Sequence, residues 1–276
     1  MRVSVSRRIV LAVLLAIATT WSVFPIFFMV SGAFKPASRI WSYPPTLIAE
    51  PTLDNVAAIT RFYPAFWVHL GNSAIVTALA AAITIIMALG AAFVLSRLRH
   101  GWLRLPALLM ILVRMFPPII VIIPLFPAMN ALGLLDTLTP LVLAAIAFSV
   151  SIATLLLKTF IDDIPIELEE AALIDGCSRL RAFVTITVPL IVPAISAIAL
   201  IVAIGAWNDY LFPLIFTSSS ARTAPVTIAL ALSAEDGVSW GVLMAMATIH
   251  LLPPLVLVTL LHRQLVTVMT MGAVKG

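Results

Sequence analysis

The sequence predicts an all-α polytopic membrane protein that crosses a bilayer six times. Three observations predict it. Of 276 residues, 62% are hydrophobic and only 10% are charged, where a soluble domain has about half and about a quarter. The apolar residues fall into six runs, at 9–32, 72–95, 106–129, 138–157, 189–216 and 240–261, each near or above the ~20 residues a helix needs to cross the hydrocarbon. Between the runs, prolines, charges and aromatics gather as they do at interfaces and turns. Residues 1–276 read as one transmembrane domain.

Taken in order, Arg2, Arg7 and Arg8 precede the first run, Ile9 to about Gly32. Ala16-Ile17-Ala18 imitates a signal-peptidase site, but apolar residues continue through Phe24, Ile26 and Phe28, so an uncleaved span is expected. Residues 34–70 carry Pro36, Pro44, Pro45, Pro51 and Pro64 with Trp41, Tyr43, Phe62 and Tyr63, which suits a loop on the outer face. The second run, Asn72 to Leu95, is rich in alanine and closes on Arg97, Arg99, His100 and Arg104. The third, Pro106 to about Met129, is interrupted by Pro117, Pro118, Pro124 and Pro127. Such breaks are tolerated where the freed backbone groups face protein or a water-lined path. A turn at 130–137 with Gly133 and Asp136 leads into the fourth run, Leu138 to Leu157. The polar segment 158–188 separates it from the fifth, Pro189 to Phe216. A second polar loop, 217–239, precedes the sixth, Trp240 to Leu261, and residues 262–276 form a tail.

Six crossings put both termini on one side. Eleven basic residues, Arg2, Arg7, Arg8, Arg97, Arg99, Arg104, Lys158, Arg179, Arg181, Arg263 and Lys275, lie on the face of the termini, against Lys35, Arg39, Arg61 and Arg222 on the other. The positive-inside rule makes the termini and the 158–188 loop cytoplasmic. The same scattering of cations, with no basic face, argues against nucleic acid despite a pI near 9.7. One cysteine, Cys177, excludes an intrachain disulfide or a cysteine-based metal cluster.

The 158–188 loop is the longest polar stretch on that face. Asp163 can cap a helix with Pro165 in its first turn, Glu167, Glu169 and Glu170 suit its positive end, and Gly176 is a natural stop. The result is a helix of about three turns whose middle, Ala171 and Ala172, is nearly bare. It can dock in the groove of a partner protein or lie as an amphipathic helix on the membrane surface.

Glu170-Ala171-Ala172, Gly176, Ile186 and Pro189 together read E-A-A-x3-G-x9-I-x-V-P. This resembles the EAA loop of the permease subunits of bacterial ABC importers, whose usual ending is I-x-L-P; Val188 stands where leucine is commoner. Arg114-Met115-Phe116-Pro117, the segment WNDYLFP at 207–213, Arg222-Thr223-Ala224-Pro225 and the ending GAVKG at 272–276 are similar to phrases of the maltose-type carbohydrate permeases. The resemblance implies a type I importer permease architecture in a bacterial inner membrane. The implied assembly is heteromeric: a second homologous permease, two cytoplasmic ABC ATPases that use ATP and Mg, and an extracytoplasmic solute-binding protein. Glu170, Ala171, Ala172, Asp175 and Gly176 would then dock the ATPase. The tail residues Gly272, Ala273, Val274, Lys275 and Gly276 would reach into it near its nucleotide-sensing loop, although His262 and Val268 depart from the usual Gln and Gly. The 217–239 loop matches the one that probes the binding protein's cleft in that group.

Candidate pathway residues are Arg114, deep in the third run, and Asn208 and Asp209 in the fifth, Asp209 being the one acid within the six apolar runs. The first reading of each is packing, a salt bridge or hydrogen bonding inside the bundle. A secondary transporter or channel working without an ATPase, or a scaffold without transport, is the alternative. A transporter of that kind calls for a cluster of coupling groups, and beside Asp209 the spans offer only His250. The sequence contains no G-x4-G-K-[ST] phosphate loop, no H-E-x-x-H and no spaced Cys/His set, so neither catalysis nor a bound cofactor is expected of this chain. A sugar, glycoside, polyol or sugar acid would each fit as solute.

Overall fold

The computed structural model describes residues 5–44, 46, 50–98, 101–233 and 237–273. The helices, in order, are α1 Val5–Ala33, α2 Ala37–Ile40, α3 Asp54–Phe62, α4 Phe66–Arg97, α5 Arg104–Val113, α6 Pro118–Ala131, α7 Thr139–Asp162, α8 Glu167–Ile174, α9 Arg179–Ala182, α10 Val188–Leu190, α11 Val192–Trp207, α12 Leu211–Phe216, α13 Ala224–Leu232 and α14 Trp240–Ala273. A π-helical turn, Phe183–Thr187, joins α9 to α10.

Among the described residues four helices are long and apolar enough to cross a membrane unaided: Ser6–Ala33, Phe66–Arg97, Thr139–Asp162 and Trp240–Gln264. Two bent pairs bring the number to six. Gly101–Val113 meets Pro118–Ala131 at 97°, and Arg179–Leu190 meets Val192–Trp207 at 78°. Prolines explain both bends. Pro117 and Pro118 supply no backbone N–H, so the third span cannot continue its ladder past Arg114; Pro189 and Pro193 flank the second bend at Ile191. The fifth span therefore begins earlier than the apolar run suggests, and α12 is a separate short helix. α14 likewise continues through Ala273, where the sequence suggests a tail from residue 262, because no glycine or proline falls between Pro254 and Gly272.

The helices form two compact units. The first holds the chain up to Trp67 together with Thr227–Leu252. In it α1 is apolar on every side and exposed from Ser6 to Phe27, as a helix in lipid is. The buried Asn55 amide of α3 secures the chain reversal after α1, donating to Ala33 O at 3.0 Å and Lys35 O at 2.7 Å. Gly241 of α14 lets that amide in, since a Cβ there would sit 2.3 Å from Asn55 Oδ1.

The second unit, Val68–Val226 with the chain from Pro253 on, contains two apolar clusters. One packs Val76 and Ala80 of α4, Ile122 and Met129 of α6, Leu141 and Ala145 of α7, and Phe212 and Phe216 of α12. The other packs Ala88 and Ala92 of α4, Ala153, Leu157 and Ile161 of α7, Phe183, and Ile198 and Val202 of α11. α7 serves both, so it is the central helix of the unit. Alanines are frequent in both clusters, and such small residues let helices approach closely where lipid provides no hydrophobic drive.

Candidate functional site

The second unit holds three polar sites. The first is the 158–188 segment. α7 runs through Asp162, whose carboxylate accepts from Lys158 Nζ at 2.5 Å and from Ser96 Oγ at 2.6 Å. Asp163 consequently ends α7 instead of capping the next helix, and α8 begins at Glu167 and spans only eight residues, shorter than the sequence suggests. Its C-terminus follows the expected chemistry. Gly176 adopts φ +85°, Gly176 N–H donates to Leu173 O at 3.1 Å, and Cys177 N–H donates to Ala172 O at 2.9 Å. This paired closure satisfies carbonyls the helix leaves open and favours a residue without Cβ.

The acidic first turn divides its labour. Glu167 and Glu170 are exposed, while Glu169 is only 7% exposed and pairs with Arg97 Nη2 at 2.9 Å. Glu169 and Ala172 share the inward face, being three residues apart on a helix. Ala171 and Ala172 are thus not equivalent: Ala171 is exposed and Ala172 buried. Outward, α8 presents Glu170, Ala171, Leu173 and an Ile174 that is 87% exposed. Beside it opens a cleft of ≈ 240 Å³ lined by Phe93, Arg97, Glu170, Leu173 and Arg179, among others.

The second site is a cavity of ≈ 320 Å³ lined by Arg114, Phe148, Ser149, Gly205, Asp209 and Phe212 with their neighbours. It lies beside the break of the third span and the far end of the fifth. Arg114 terminates α5 at that break and Pro118 begins α6, while Asp209 lies in the turn between α11 and α12. Arg114 Nη1 donates to Phe148 O at 3.1 Å, and Leu211 N–H donates to Asp209 Oδ1 at 3.2 Å. Phe148 and Phe212 face each other with ring centroids 5.3 Å apart. Asn208 does not join them. Its amide donates to Ile204 O of its own helix at 2.9 Å and closes the end of α11.

The third site was not singled out in the sequence. Asp136, at φ +56° in the turn before α7, faces the start of the 217–239 loop. Its two carboxylate oxygens accept from the backbone N–H groups of Ser218, Ser219, Ser220 and Ala221 and from the hydroxyls of Ser219 and Ser220, at 2.8–3.2 Å. Desolvation on its own would raise the Asp136 pKa, but the hydrogen bonds from Ser219, Ala221 and Ser218 outweigh it and hold the carboxyl well below its usual range. From the other side α4 grips the same loop. Asn72 donates to Ser220 O and Arg222 O at 2.8 Å each, His69 Nε2 donates to Ser219 O at 3.0 Å, and Ala224 N–H donates to Ser73 Oγ at 3.0 Å. The only local hint was an aspartate in a glycine-containing turn and a run of three serines more than eighty residues later.

Of the predicted tail, Gly272 and Ala273 close α14, and Val274, Lys275 and Gly276 lie outside the described residues. So do Glu235 and Asp236 of the 217–239 loop. Among the described residues no group of three or more His, Cys, Asp or Glu side chains could hold a metal ion.

Residues 84–270 match the family described as binding-protein-dependent transport system inner membrane component. The chain belongs to that family. The match includes the whole EAA-type segment and both interrupted spans. Relatives extend over nearly the full chain. The inner membrane ABC transporter permease protein YcjP of Escherichia coli is 34% identical over 95% of this chain and 94% of its own length. The sulfoquinovosyl glycerol transport system permease protein SmoH of Agrobacterium fabrum is 33% identical over 92% of this chain and 89% of its own. The trehalose/maltose transport system permease protein MalG of Thermococcus litoralis is 31% identical, with 100% of each chain covered. The fold matches a chain in the crystal structure of a bacterial ABC transporter that imports the acidic polysaccharide alginate, with a TM-score of 0.77, 22% identity, and 95% and 99% of the two chains covered. A second alginate transporter structure, in complex with an alginate pentasaccharide-bound periplasmic protein, matches with a TM-score of 0.70 and 16% identity over 93% of this chain and 94% of that one.

Proposed function

We propose that this permease forms half of the translocation pathway of an ATP-driven importer of a sugar or sugar derivative, and that α8 docks it to a separate ATPase. The observation that carries the reading is the two-faced build of α8. Its inner face is tied to the rest of the unit by Glu169 and Ala172, while Glu170, Ala171, Leu173 and Ile174 face outward. A short, anchored helix with a slim apolar outer face fits a groove in a second protein and can transmit a push. The excess of cations beside it favours the cytoplasmic side, where ATP is. Relatives named for trehalose/maltose and sulfoquinovosyl glycerol support a saccharide cargo.

In this reading a second permease completes the pathway, an extracytoplasmic solute-binding protein delivers the cargo, and the end of α14 with residues 274–276 contacts the ATPase. ATP and Mg act on the ATPase, and this chain contributes no phosphate loop. The Arg114 and Asp209 cavity borders the pathway, with Asn208 fixing the helix end beside it. Closure of the ATPases on nucleotide moves α8, and rigid-body rocking of the spans opens the path outward, a population shift driven by differential nucleotide binding.

The test is import by the co-expressed transporter reconstituted in liposomes. Glu170→Lys reverses an exposed docking charge, and Gly176→Pro places proline where φ is +85° and the N–H is bonded. Each should insert normally, retain less ATPase on purification and lower import about tenfold or more. Normal import by both variants overturns the docking role. Labelling Ile174→Cys in a Cys177→Ser background with an impermeant maleimide checks the side; reaction from outside intact cells would sink the orientation. Binding of a sugar panel to the cognate solute receptor identifies the cargo.

A further inference from the structure

Glu169 sits in the first turn of α8 between two exposed glutamates, yet it turns inward. A carboxylate at a protein edge turns away from water only if donors replace the water it loses. Here one oxygen, Oε1, accepts two hydrogen bonds, from Arg97 Nε at 2.9 Å and from the Thr187 hydroxyl at 2.7 Å, and forms an ion pair with Arg97 Nη2 at 2.9 Å. The guanidinium and carboxylate are 11% and 9% exposed, and Thr187 is fully buried. Arg97 Nη2 also donates to Ile164 O at 3.1 Å, so the fork grips both α8 and the segment leading into it.

The three residues come from three elements. Arg97 is the last residue of α4, Glu169 belongs to α8, and Thr187 ends the π-helical turn that leads through α10 into α11. The covalent links of α8 are weak transmitters by comparison, since Pro165 precedes it and left-handed Gly176 follows. A hinge at either side would let α8 tilt without moving a span. The one-residue step Ser96–Arg97 has a parallel bond from Ser96 Oγ to Asp162 of α7, so the last turn of α4 is held to α7 and α8 together.

We propose that Arg97, Glu169 and Thr187 are positioning residues for energy coupling: they make α8, the end of the second span and the start of the fifth one mechanical body. Motion of α8 is then delivered directly to α4 as well as along the chain into α7 and α11. This rests on the reading of α8 as the docking helix. The planar two-pronged grip explains why arginine serves here, because lysine can hold Glu169 but cannot span to Ile164 O in the same geometry.

The experiment uses the complete transporter, with its partner permease and ATPase, in liposomes. It reads three quantities: solute imported per ATP hydrolysed, basal ATP hydrolysis, and ATPase retained on purification. Arg97→Gln and Glu169→Gln should each lower import per ATP by about tenfold, Arg97→Lys by about threefold, and ATPase retention should stay within about twofold of wild type. The double variant R97Q/E169Q leaves no unpaired charge, so it folds where a single variant is strained. Its loss should equal that of a single variant, the non-additivity expected of residues acting as a unit. Wild-type import per ATP in R97Q/E169Q overturns the proposal, as does a loss that only tracks lost ATPase. If Glu170→Lys imports normally, the docking reading fails. If Glu170→Lys uncouples and R97Q/E169Q does not, only the coupling unit is refuted.

Discussion

Removing the Asp136 side chain tests whether one carboxylate organises the loop that follows the fifth span. The Asp136→Ala variant loses six acceptor contacts from Ser218, Ser219, Ser220 and Ala221. A hydrogen bond to a charged group contributes about 1.5–3 kcal/mol net and a neutral one about 1. The site is partly open, so water re-solvates the freed amides, and about 0.5 kcal/mol per bond is a fair value. The sum is about 3 kcal/mol of local stability, or about 150-fold in the opening equilibrium. Amide hydrogen exchange across residues 216–224 in detergent measures it. Asp136→Asn keeps one acceptor oxygen and should give about half that free energy. The pH dependence has a definite sign. The folded pKa lies below the ordinary value of 3.8, so the contribution is complete above about pH 4 and is lost as pH falls through the depressed folded value. Wild-type protection, corrected for intrinsic exchange, should therefore approach that of Asp136→Asn in acid and diverge from it towards neutrality. A change of less than about threefold at Ser218–Ala221 in Asp136→Ala would refute the reasoning.

Two further substitutions address other sites. Gly241→Ala would put a Cβ 2.3 Å from Asn55 Oδ1, and Asn55 cannot withdraw without releasing Ala33 O and Lys35 O. It should cost about 1–3 kcal/mol and lower the thermal midpoint by several degrees; an unchanged midpoint in a detergent thermal-shift assay would contradict the packing. Gly205 lines the Arg114 and Asp209 cavity, and a Cβ there meets nothing within 4 Å. Gly205→Leu should thus fold and assemble normally while filling the space and cutting import about tenfold or more; undiminished import would take the cavity out of the pathway.

The six crossings were legible because a span must satisfy its backbone internally and be apolar throughout, which leaves a mark on every residue of the run. Gly176 was legible for a similarly local reason, since a helix end with a left-handed residue is written in a few neighbouring positions. The sequence misleads where a choice depends on a neighbour distant in the chain. Asp163 looks like a cap for the next helix until α7, packed against α4 and α11, runs far enough to use that residue as its own end. Ala171 and Ala172 look equivalent until Arg97 draws Glu169 inward and takes Ala172 with it. Arg114 and Asp209 share a cavity although they are remote in sequence, whereas Asn208, adjacent to Asp209, spends its side chain on its own helix.

By itself, then, the sequence determined an α-helical membrane permease with six apolar crossings and an EAA-type segment, all properties carried by composition, period and short spacing. Only the tertiary structure decided which acid of α8 is buried, which spans share a cavity and which aspartate holds the loop after the fifth span. The physical reason is reach. Hydropathy and helix termination act over one run or one turn, but a carboxylate takes its donors from whatever packing brings within hydrogen-bond reach, here 72 residues away for Glu169 and more than 80 for Asp136.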